Sequence, residues 1–249
     1  MGEEKTMFHW NEDKIYWNIV CNESNQISEK IVEKIKPYIE GKKVAELGCG
    51  TGYFSLAMSK YADSVIAADI QSKVLDVLAA NIKKRKIKNI IPIRTDIYES
   101  CFYDRDYMVA KFFLRPTRDL KKILSMAKEG VILIVNTTEY SGMNTDDDVR
   151  RGKENADTIC PYLDSENLEY EKIELQCENG QYLRDEEDAR NFLHSYTQNT
   201  ESEIQEIIEE SRLKEEYRIL NEGFRFFISV DKRISILIIR KAAKEKERS

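Results

Sequence analysis

The amino-acid sequence predicts an α/β fold in which a doubly wound, mostly parallel sheet is covered by helices on both faces. Short apolar segments alternate with segments whose apolar residues recur at helical spacing. The apolar segments contain almost no polar residue, which is typical of parallel strands that are buried on both sides. The 249 residues suffice for one such domain and an elaboration of it.

The alternation begins near the N-terminus. Residues 27 to 40 place isoleucine and valine side chains at helical spacing, and Gly41 ends this predicted helix. A strand follows at Val44 to Leu47, and after a cluster of glycines a second helix carries Phe54. The remaining elements before Asn136 are strands over 64–70, 90–95, 106–113 and 131–135, with helices around 74–88 and 118–128.

The pattern changes after Asn136, where a polar segment without a clear period begins. Tyr170 to Cys177 and Gln181 to Arg184 flank Glu-Asn-Gly, and this predicts a β-hairpin. Phe224 to Val230 and Ile234 to Arg240 predict an antiparallel pair that closes the sheet. Between these two pairs, helices are predicted over 185–197 and 201–220.

These elements divide the chain into four predicted regions. They are an N-terminal region that includes a short aromatic helix (1–26), the core (27–136), an insert (137–222), and a closing strand pair with a charged tail (223–249).

Composition limits the function classes. The formal net charge is −6, which speaks against a chain built to coat nucleic acid or an anionic membrane. No apolar run approaches the ~20 residues that cross a bilayer. The five cysteines include no Cys-x-x-Cys pair, and the two histidines offer no metal-ligand spacing, so we expect reduced thiols, a cytoplasmic location and no metal site.

The most specific pattern is Val-Ala-Glu-Leu-Gly-Cys-Gly-Thr-Gly at residues 44 to 52. Three glycines at alternate positions let a cofactor lie against the backbone. A dinucleotide-binding fold would place its third glycine at position 53, which is Tyr53 here. Glu46 ends the buried strand, where its carboxylate would repel a pyrophosphate but attract an ammonium group.

With these residues the sequence resembles the class I S-adenosylmethionine-dependent methyltransferases, whose motif E/D-x-G-x-G-x-G is matched by Glu46 to Gly52. In that family an acidic residue ending the second strand binds the ribose hydroxyls, and Asp69 matches it with Ile70 beside the adenine. An acidic residue after the third strand accepts from the adenine amine, and Asp96 matches it with Ile97 alongside.

The resemblance implies a Rossmann-like sheet of seven strands with an antiparallel last strand, and a substrate lid of mixed α and β structure inserted after the fifth strand. It also implies S-adenosylmethionine as cofactor, with S-adenosylhomocysteine as product. Tyr16 and Trp17 lie in the short aromatic helix that many of these enzymes fold over the cofactor, although simple packing of that helix explains them equally well. The implied cofactor-binding residues are Tyr16, Trp17, Glu46, Gly48, Gly50, Thr51, Gly52, Asp69, Ile70, Asp96 and Ile97.

The sequence departs from the family at the acceptor side. Residues 110 to 116 lack both the Asn/Asp-Pro-Pro-aromatic signature of nucleic-acid amino methylation and a Pro-Cys nucleophile. The basic run from Lys83 to Lys88 is explained by its place at a helix C-terminus. We therefore expect methyl transfer to an O, N or C nucleophile of a small molecule, with nucleic acid an unlikely partner. The alternatives are a methyltransferase acting on RNA or protein, and a non-catalytic cofactor-binding module.

No catalytic residue is identified. The sulfonium of S-adenosylmethionine is already a good leaving group, so in-line alignment of the acceptor with the methyl group can suffice for transfer. If a base or an orienting group is used, the candidates are His194, Tyr140, Lys111 and the carboxylates at 146–148. The sequence predicts no oligomeric state.

Overall fold

The structure is a computed structural model that describes residues 8–100, 102, 104–138, 154–214 and 223–241. Its helices are α1 (Glu12–Asn25), α2 (Ile27–Ile39), α3 (Tyr53–Met58), α4 (Ser72–Arg85), α5 (Pro116–Met126), α6 (Ala156–Ser165), α7 (Glu186–Tyr196) and α8 (Glu201–Glu210). Its strands are β1 (Lys43–Leu47), β2 (Ser64–Asp69), β3 (Ile90–Arg94), β4 (Arg105–Lys111), β5 (Ala127–Asn136), β6 (Tyr170–Glu178), β7 (Gln181–Leu183), β8 (Phe226–Ile228) and β9 (Asp231–Arg240).

The main sheet has seven strands in the order β3-β2-β1-β4-β5-β9-β6. Strands β1 to β5 pair in parallel, and β9 pairs with β5 in the antiparallel sense. The prediction of a doubly wound, mostly parallel α/β sheet with an antiparallel last strand is thereby confirmed. The order reverses between β1 and β4, which in open α/β sheets is the place where ligands bind.

Two predicted strand pairings are wrong. The hairpin of 170–177 with 181–184 does not form, because β6 joins the main sheet whereas β7 pairs with β8 in a separate two-stranded sheet. The predicted pair of 224–230 with 234–240 fails for the same reason. Residues 234–239 of β9 are all buried, as expected of a strand that lies between two others, and its neighbours are β5 and β6.

Side-chain caps define where several helices begin. Asn155 and Thr158 form a reciprocal capping box at α6, and Thr200 with Glu203 forms another at α8. Asp185 accepts a hydrogen bond from the Asp188 backbone at α7. These caps satisfy amide groups that have no partner within the helix.

The chain forms two compact units. Among the described residues, the larger unit contains those within 28–138, 154–175 and 234–241, and the smaller contains those within 8–27 and 176–233. These boundaries differ from the four regions expected from the sequence, because 154–175 belongs with the larger unit and 1–27 with the smaller. The substrate-lid role of the insert stays a prediction.

The smaller unit has its own core around Trp17, whose side chain is only 2% exposed. The indole packs edge-on against Phe192 and Tyr196, and its N–H donates to Asp188 Oδ1 at 2.8 Å. Asp188 also accepts hydrogen bonds from the Arg184 guanidinium and backbone N–H. Trp17 is therefore fixed by packing within its own unit, which accounts for its place in the aromatic helix.

Within the described residues, no helix is both long and apolar enough to cross a membrane.

Replacing Asp188 tests this core. Burial alone would raise the pKa of Asp188, but hydrogen bonds from Arg184 and Trp17 outweigh it and hold that pKa below its usual range. Asp188→Ala leaves the indole N–H without its acceptor, so we expect the free energy of unfolding to fall by about 3 kcal/mol. Urea denaturation followed by tryptophan fluorescence measures this loss.

Glu187→Ala is the matched control, because Glu187 is the exposed preceding residue of the same helix. Equal stability of the two variants would contradict a stabilising role for the Trp17–Asp188 hydrogen bond.

Candidate cofactor site at the glycine-rich loop

The glycine-rich loop connects the end of β1 to the start of α3. Gly48, Gly50 and Gly52 have φ values of +70°, +53° and +79°, which other L-residues rarely adopt. A β-carbon on Gly48 would lie 2.3 Å from the Phe113 ring, and one on Gly52 would lie 2.4 Å from Leu78. Both backbone conformation and close packing therefore require the glycines that the motif supplies.

Asp69 fixes this loop against the end of β2. Its Oδ2 accepts a hydrogen bond from the Gly50 N–H at 2.9 Å, and its Oδ1 accepts one from the Gln71 N–H at 3.0 Å. The preceding carbonyl, of Ala68, accepts from the N–H groups of Gly48 and Cys49 at 2.8 and 2.9 Å. The predicted glycine and acidic positions are thus joined directly by hydrogen bonds.

Asp96 lies beside this group, just past the end of β3. The Thr95 N–H donates to the Asp69 carbonyl at 2.9 Å, and Asp96 Oδ1 accepts from the Tyr98 N–H at 2.8 Å. Ile70 is 37% exposed. Ile97 is buried and packs into the main core. Contact of either residue with the cofactor stays a prediction.

Glu46 is a carboxyl group inside the protein, with 1% of its surface exposed. The Ser55 hydroxyl donates to its Oε2. Burial raises the pKa of Glu46 to about 7, although the positive charge of Lys111 and the Ser55 hydrogen bond act against this rise. Asp69 adds a second negative charge nearby, which contributes to the upward shift.

Lys111 is the last residue of β4, in register with Ile134 of β5. Its Nζ lies 3.4 Å from the Ser28 hydroxyl and 5.1 Å from the centroid of the Phe54 ring. The lysine thus adds a cation beside the buried Glu46. The role of Lys111 towards a substrate stays a prediction.

The aromatic residues after β4 were not singled out as site residues from the sequence. Phe112 has a φ of +53°, and this left-handed residue turns the chain just beyond the strand. Phe113 then lies against Gly48 with 42% of its surface exposed. The signal in the sequence was an aromatic pair directly after a buried strand, but neither ring could be oriented without the backbone turn.

Two of the remaining candidates belong to the smaller unit. Tyr16 belongs to the smaller unit, where the Arg184 guanidinium lies 4.3 Å from its ring centroid. His194 is also in that unit, on the surface of α7, with Nε2 3.1 Å from Glu201 Oε1. Tyr140 and the carboxylates at 146–148 lie outside the described residues.

The donor and acceptor set at the loop fits S-adenosylmethionine. Asp69 and Asp96 present carboxylates at the ends of neighbouring strands, suited to hydroxyl and amine donors. Glu46 offers an anion to an ammonium group, and Gly50 brings the backbone close without a side chain. Thr51 is buried within the same loop.

A family model described as "TRM5/TYW2 methyltransferase domain" matches residues 3–162, which is more than half of the chain. The chain belongs to the TRM5/TYW2 methyltransferase domain family. This membership confirms the resemblance to the class I methyltransferases, the prediction of a methyltransferase enzyme and S-adenosylmethionine as its cofactor.

Two relatives match over shorter segments. The tRNA (guanine(37)-N(1))-methyltransferase Trm5b of Pyrococcus abyssi is 38% identical over 60 residues, which is 24% of this chain and 18% of the relative. The tRNA/tmRNA (uracil-C(5))-methyltransferase of Campylobacter lari is 34% identical over 67 residues, 26% of this chain and 19% of the relative. The matched segment thus spans less than a fifth of either relative.

Solved structures support the fold. The YcgJ protein of Bacillus subtilis aligns with a TM-score of 0.56 at 13% identity, over 88% of this chain and all of that one. A putative RNA methyltransferase, PH1948, of Pyrococcus horikoshii aligns with a TM-score of 0.52 at 15% identity, over 88% and 85% of the two chains.

The expectation that nucleic acid is an unlikely partner is wrong. Both sequence relatives carry names of tRNA-modifying enzymes, which overturns it. The expectation rested on missing acceptor motifs in 110–116, but those motifs belong to amino-group and cytosine-carbon chemistry only. The name of the first relative specifies guanine N1, a ring nitrogen that neither motif serves, so the missing motifs do not exclude RNA.

Replacing Glu46 tests the raised pKa of this buried carboxyl group. The folded pKa of about 7 exceeds the usual value of 4.5 for a glutamate, so the stability contributed by the protonated form is full below pH 4.5 and is lost as the pH rises through 7. Glu46→Gln keeps the shape and an acceptor for Ser55. Relative to this variant, we expect the parent to lose about 2–3 kcal/mol of unfolding free energy between pH 5 and pH 8.

Chemical denaturation at several pH values measures this difference. Glu99→Gln, at an exposed glutamate, is the control and should follow the parent at every pH. Parallel profiles for the parent and Glu46→Gln would show that Glu46 titrates as an ordinary solvated carboxyl.

Proposed function

We propose that this protein transfers a methyl group from S-adenosylmethionine to a base of transfer RNA. The single observation that carries the proposal is the family match over residues 3–162, within which the glycine-rich loop, Asp69 and Asp96 lie together. S-adenosylmethionine would supply a methyl group bonded to a sulfonium sulfur. The thioether that remains after transfer, S-adenosylhomocysteine, is a good leaving group, so the donor needs no further activation. The chain's own task is then to bind, align and exclude water.

The methyl acceptor in this proposal is a ring atom of the base. The two matched relatives are named for guanine N1 and uracil C5, both of which are ring atoms rather than exocyclic amines. A ring acceptor is consistent with the absence of an Asn/Asp-Pro-Pro-aromatic segment at 110–116. The absence of that segment therefore does not oppose a base of RNA as the acceptor.

The exposed ring of Phe113 offers a surface for such a base. Proteins that read unpaired bases in RNA stack them on aromatic side chains. Phe113 lies at the end of β4, against Gly48 of the glycine-rich loop, so a base on its ring would be close to the cofactor residues. Lys111 and Arg115 flank this aromatic segment with positive charge, which suits a polyanionic substrate.

Methyl transfer to RNA is the first test. The parent should transfer a tritiated methyl group from S-adenosylmethionine to an unmodified tRNA transcript, and digestion with mass spectrometry should place the label on a base. Asp69→Ala should weaken S-adenosylhomocysteine binding at least about tenfold and abolish transfer, because it removes the acceptor that holds Gly50.

Asp63→Ala, at the exposed aspartate just before β2, is the matched control and should keep both activities. Label recovered only in protein or in small molecules, with none in RNA, would refute the proposal. Cofactor binding without transfer to any acceptor would favour a binding module.

Phe113→Ala tests the base-stacking surface. Loss of one stacked base costs about 1–3 kcal/mol, so KM for the tRNA transcript should rise roughly 5- to 150-fold. S-adenosylhomocysteine affinity should change by less than about twofold, and Phe113→Tyr should behave as the parent, because the aromatic face is kept. Steady-state kinetics and calorimetry measure the two quantities.

Ile91→Ala is the control at an apolar residue of β3 that is 52% exposed. If Phe113→Ala weakened cofactor binding as much as RNA binding, the ring would support the glycine-rich loop instead of a base.

A further inference from the structure

A dense positive patch lies at the end of α4. Five of the six residues 83–88 are basic, and their side chains are exposed. We call this group the α4 basic patch; it consists of Lys83, Lys84, Arg85, Lys86 and Lys88. It stands out on a chain whose formal net charge is −6.

The patch is not neutralised by the described part of the protein. No carboxylate of the described residues forms a salt bridge with any of its five cations, whereas lysines elsewhere on the larger unit are paired. Examples of paired lysines are Lys36 with Glu40, Lys121 with Glu166 and Lys172 with Glu174. The Arg85 guanidinium lies 5.7 Å from the Tyr53 ring centroid, which keeps its charge intact.

The helix end does not require this much charge. The Lys86 N–H donates to Ile82 and Lys83 carbonyls, and the Ile87 N–H donates to the Ile82 carbonyl at 3.1 Å, so the backbone caps the last turn. The dipole at a helix C-terminus amounts to about half an elementary charge. One cation would complement it, and the sequence provides five.

The conformation of Lys86 is a second sign that the helix end alone does not explain these cations. It adopts a φ of +55°, the left-handed conformation that usually selects glycine at this position. A non-glycine residue there costs on the order of 1–2 kcal/mol. The chain therefore carries a cation where the backbone alone would favour Gly.

The patch is presented by a fixed turn. Asn89 Nδ2 donates to the carbonyls of Ser59 and Ala62 at 2.9 and 3.0 Å, and the Asn89 carbonyl accepts from Val65 at 2.8 Å. The adjacent strand, β3, is at the edge of the main sheet. The cations are thus held beside an edge that no other strand of this sheet covers.

The position of the patch restricts what can bind it. Helix α4 starts just after Asp69 and returns to the beginning of β3, so its last turn lies near the amino ends of the strands, whereas Asp69 and Asp96 lie at their carboxyl ends. Fourteen residues of helix span about 21 Å. A ligand that touches both the patch and the cofactor end must be an extended anion rather than a small molecule.

We propose that the α4 basic patch binds the phosphate backbone of the RNA whose base is methylated at the glycine-rich loop. The inference rests on the proposed function for the identity of its occupant. Phosphate contacts from lysine and arginine supply affinity and orientation without reading sequence. The patch therefore contributes to binding of RNA in general and leaves the choice of the methylated base to the cofactor end.

A triple substitution in the 249-residue chain tests this surface. Lys83→Gln, Lys84→Gln and Lys86→Gln together remove three cations, and fluorescence anisotropy with a labelled unmodified tRNA transcript measures binding between 50 and 300 mM KCl. The slope of log K against log salt should become shallower by about 2 to 3, and Kd near 0.1 M salt should weaken at least about tenfold.

The control substitutes three paired lysines of the same unit, Lys36→Gln, Lys121→Gln and Lys172→Gln. It should keep the parent slope within about one. S-adenosylhomocysteine binding should be unchanged in both triple variants, because none of the substituted residues contacts the glycine-rich loop in the described structure. This measurement also establishes that the variants are folded.

An unchanged salt slope in the patch variant, or an equal change in the control, would overturn the inference while RNA methylation by the parent would still support the proposed function. A parent that binds RNA through the patch without methylating it would leave the inference standing and refute the function.

Vesicles of phosphatidylcholine with 30% phosphatidylserine form the third arm. Patch-dependent binding to these vesicles with no RNA binding would overturn the inference in favour of a membrane surface.

Discussion

The bridge made by the Asp69 carboxylate is the interaction on which the candidate site depends. One oxygen holds Gly50 and the other holds Gln71, so a single side chain fixes the loop after β1 and the start of the segment that leads into α4. The loop bends through three left-handed glycines, and the Ala68 carbonyl adds hydrogen bonds from Gly48 and Cys49 to those of Asp69. Asp69 and Glu46 are both buried here, and each needs its hydrogen bonds to tolerate that position.

The parallel core could be predicted from sequence because its strands are almost wholly apolar and alternate with helical stripes. The glycines could be predicted because each answers a local requirement, a left-handed turn, whereas Asp69 and Asp96 followed from the resemblance to the class I methyltransferases. Phe113 could not, since its orientation depends on the left-handed turn at Phe112 and on contact with Gly48. Burial of Ile97 likewise depends on packing from distant parts of the chain.

Strand pairing beyond Asn136 failed for a related reason. A hairpin signal such as Glu-Asn-Gly is local, whereas the choice of partner for β6 and β8 depends on which neighbour buries the apolar face. The error about the acceptor was of another kind. It treated the absence of two particular motifs as evidence against a whole class of substrate, although nucleic acid can be methylated at positions that neither motif serves.

The packing of Trp17 has a practical consequence for spectroscopy. The chain has two tryptophans, Trp10 and Trp17, and both belong to the smaller unit, so intrinsic fluorescence excited at the indole band reports on that unit alone. The seven-stranded sheet contains none and is visible mainly through its far-ultraviolet circular dichroism. A fluorescence transition that does not coincide with the far-ultraviolet transition would therefore show, without any label, that the smaller unit melts separately.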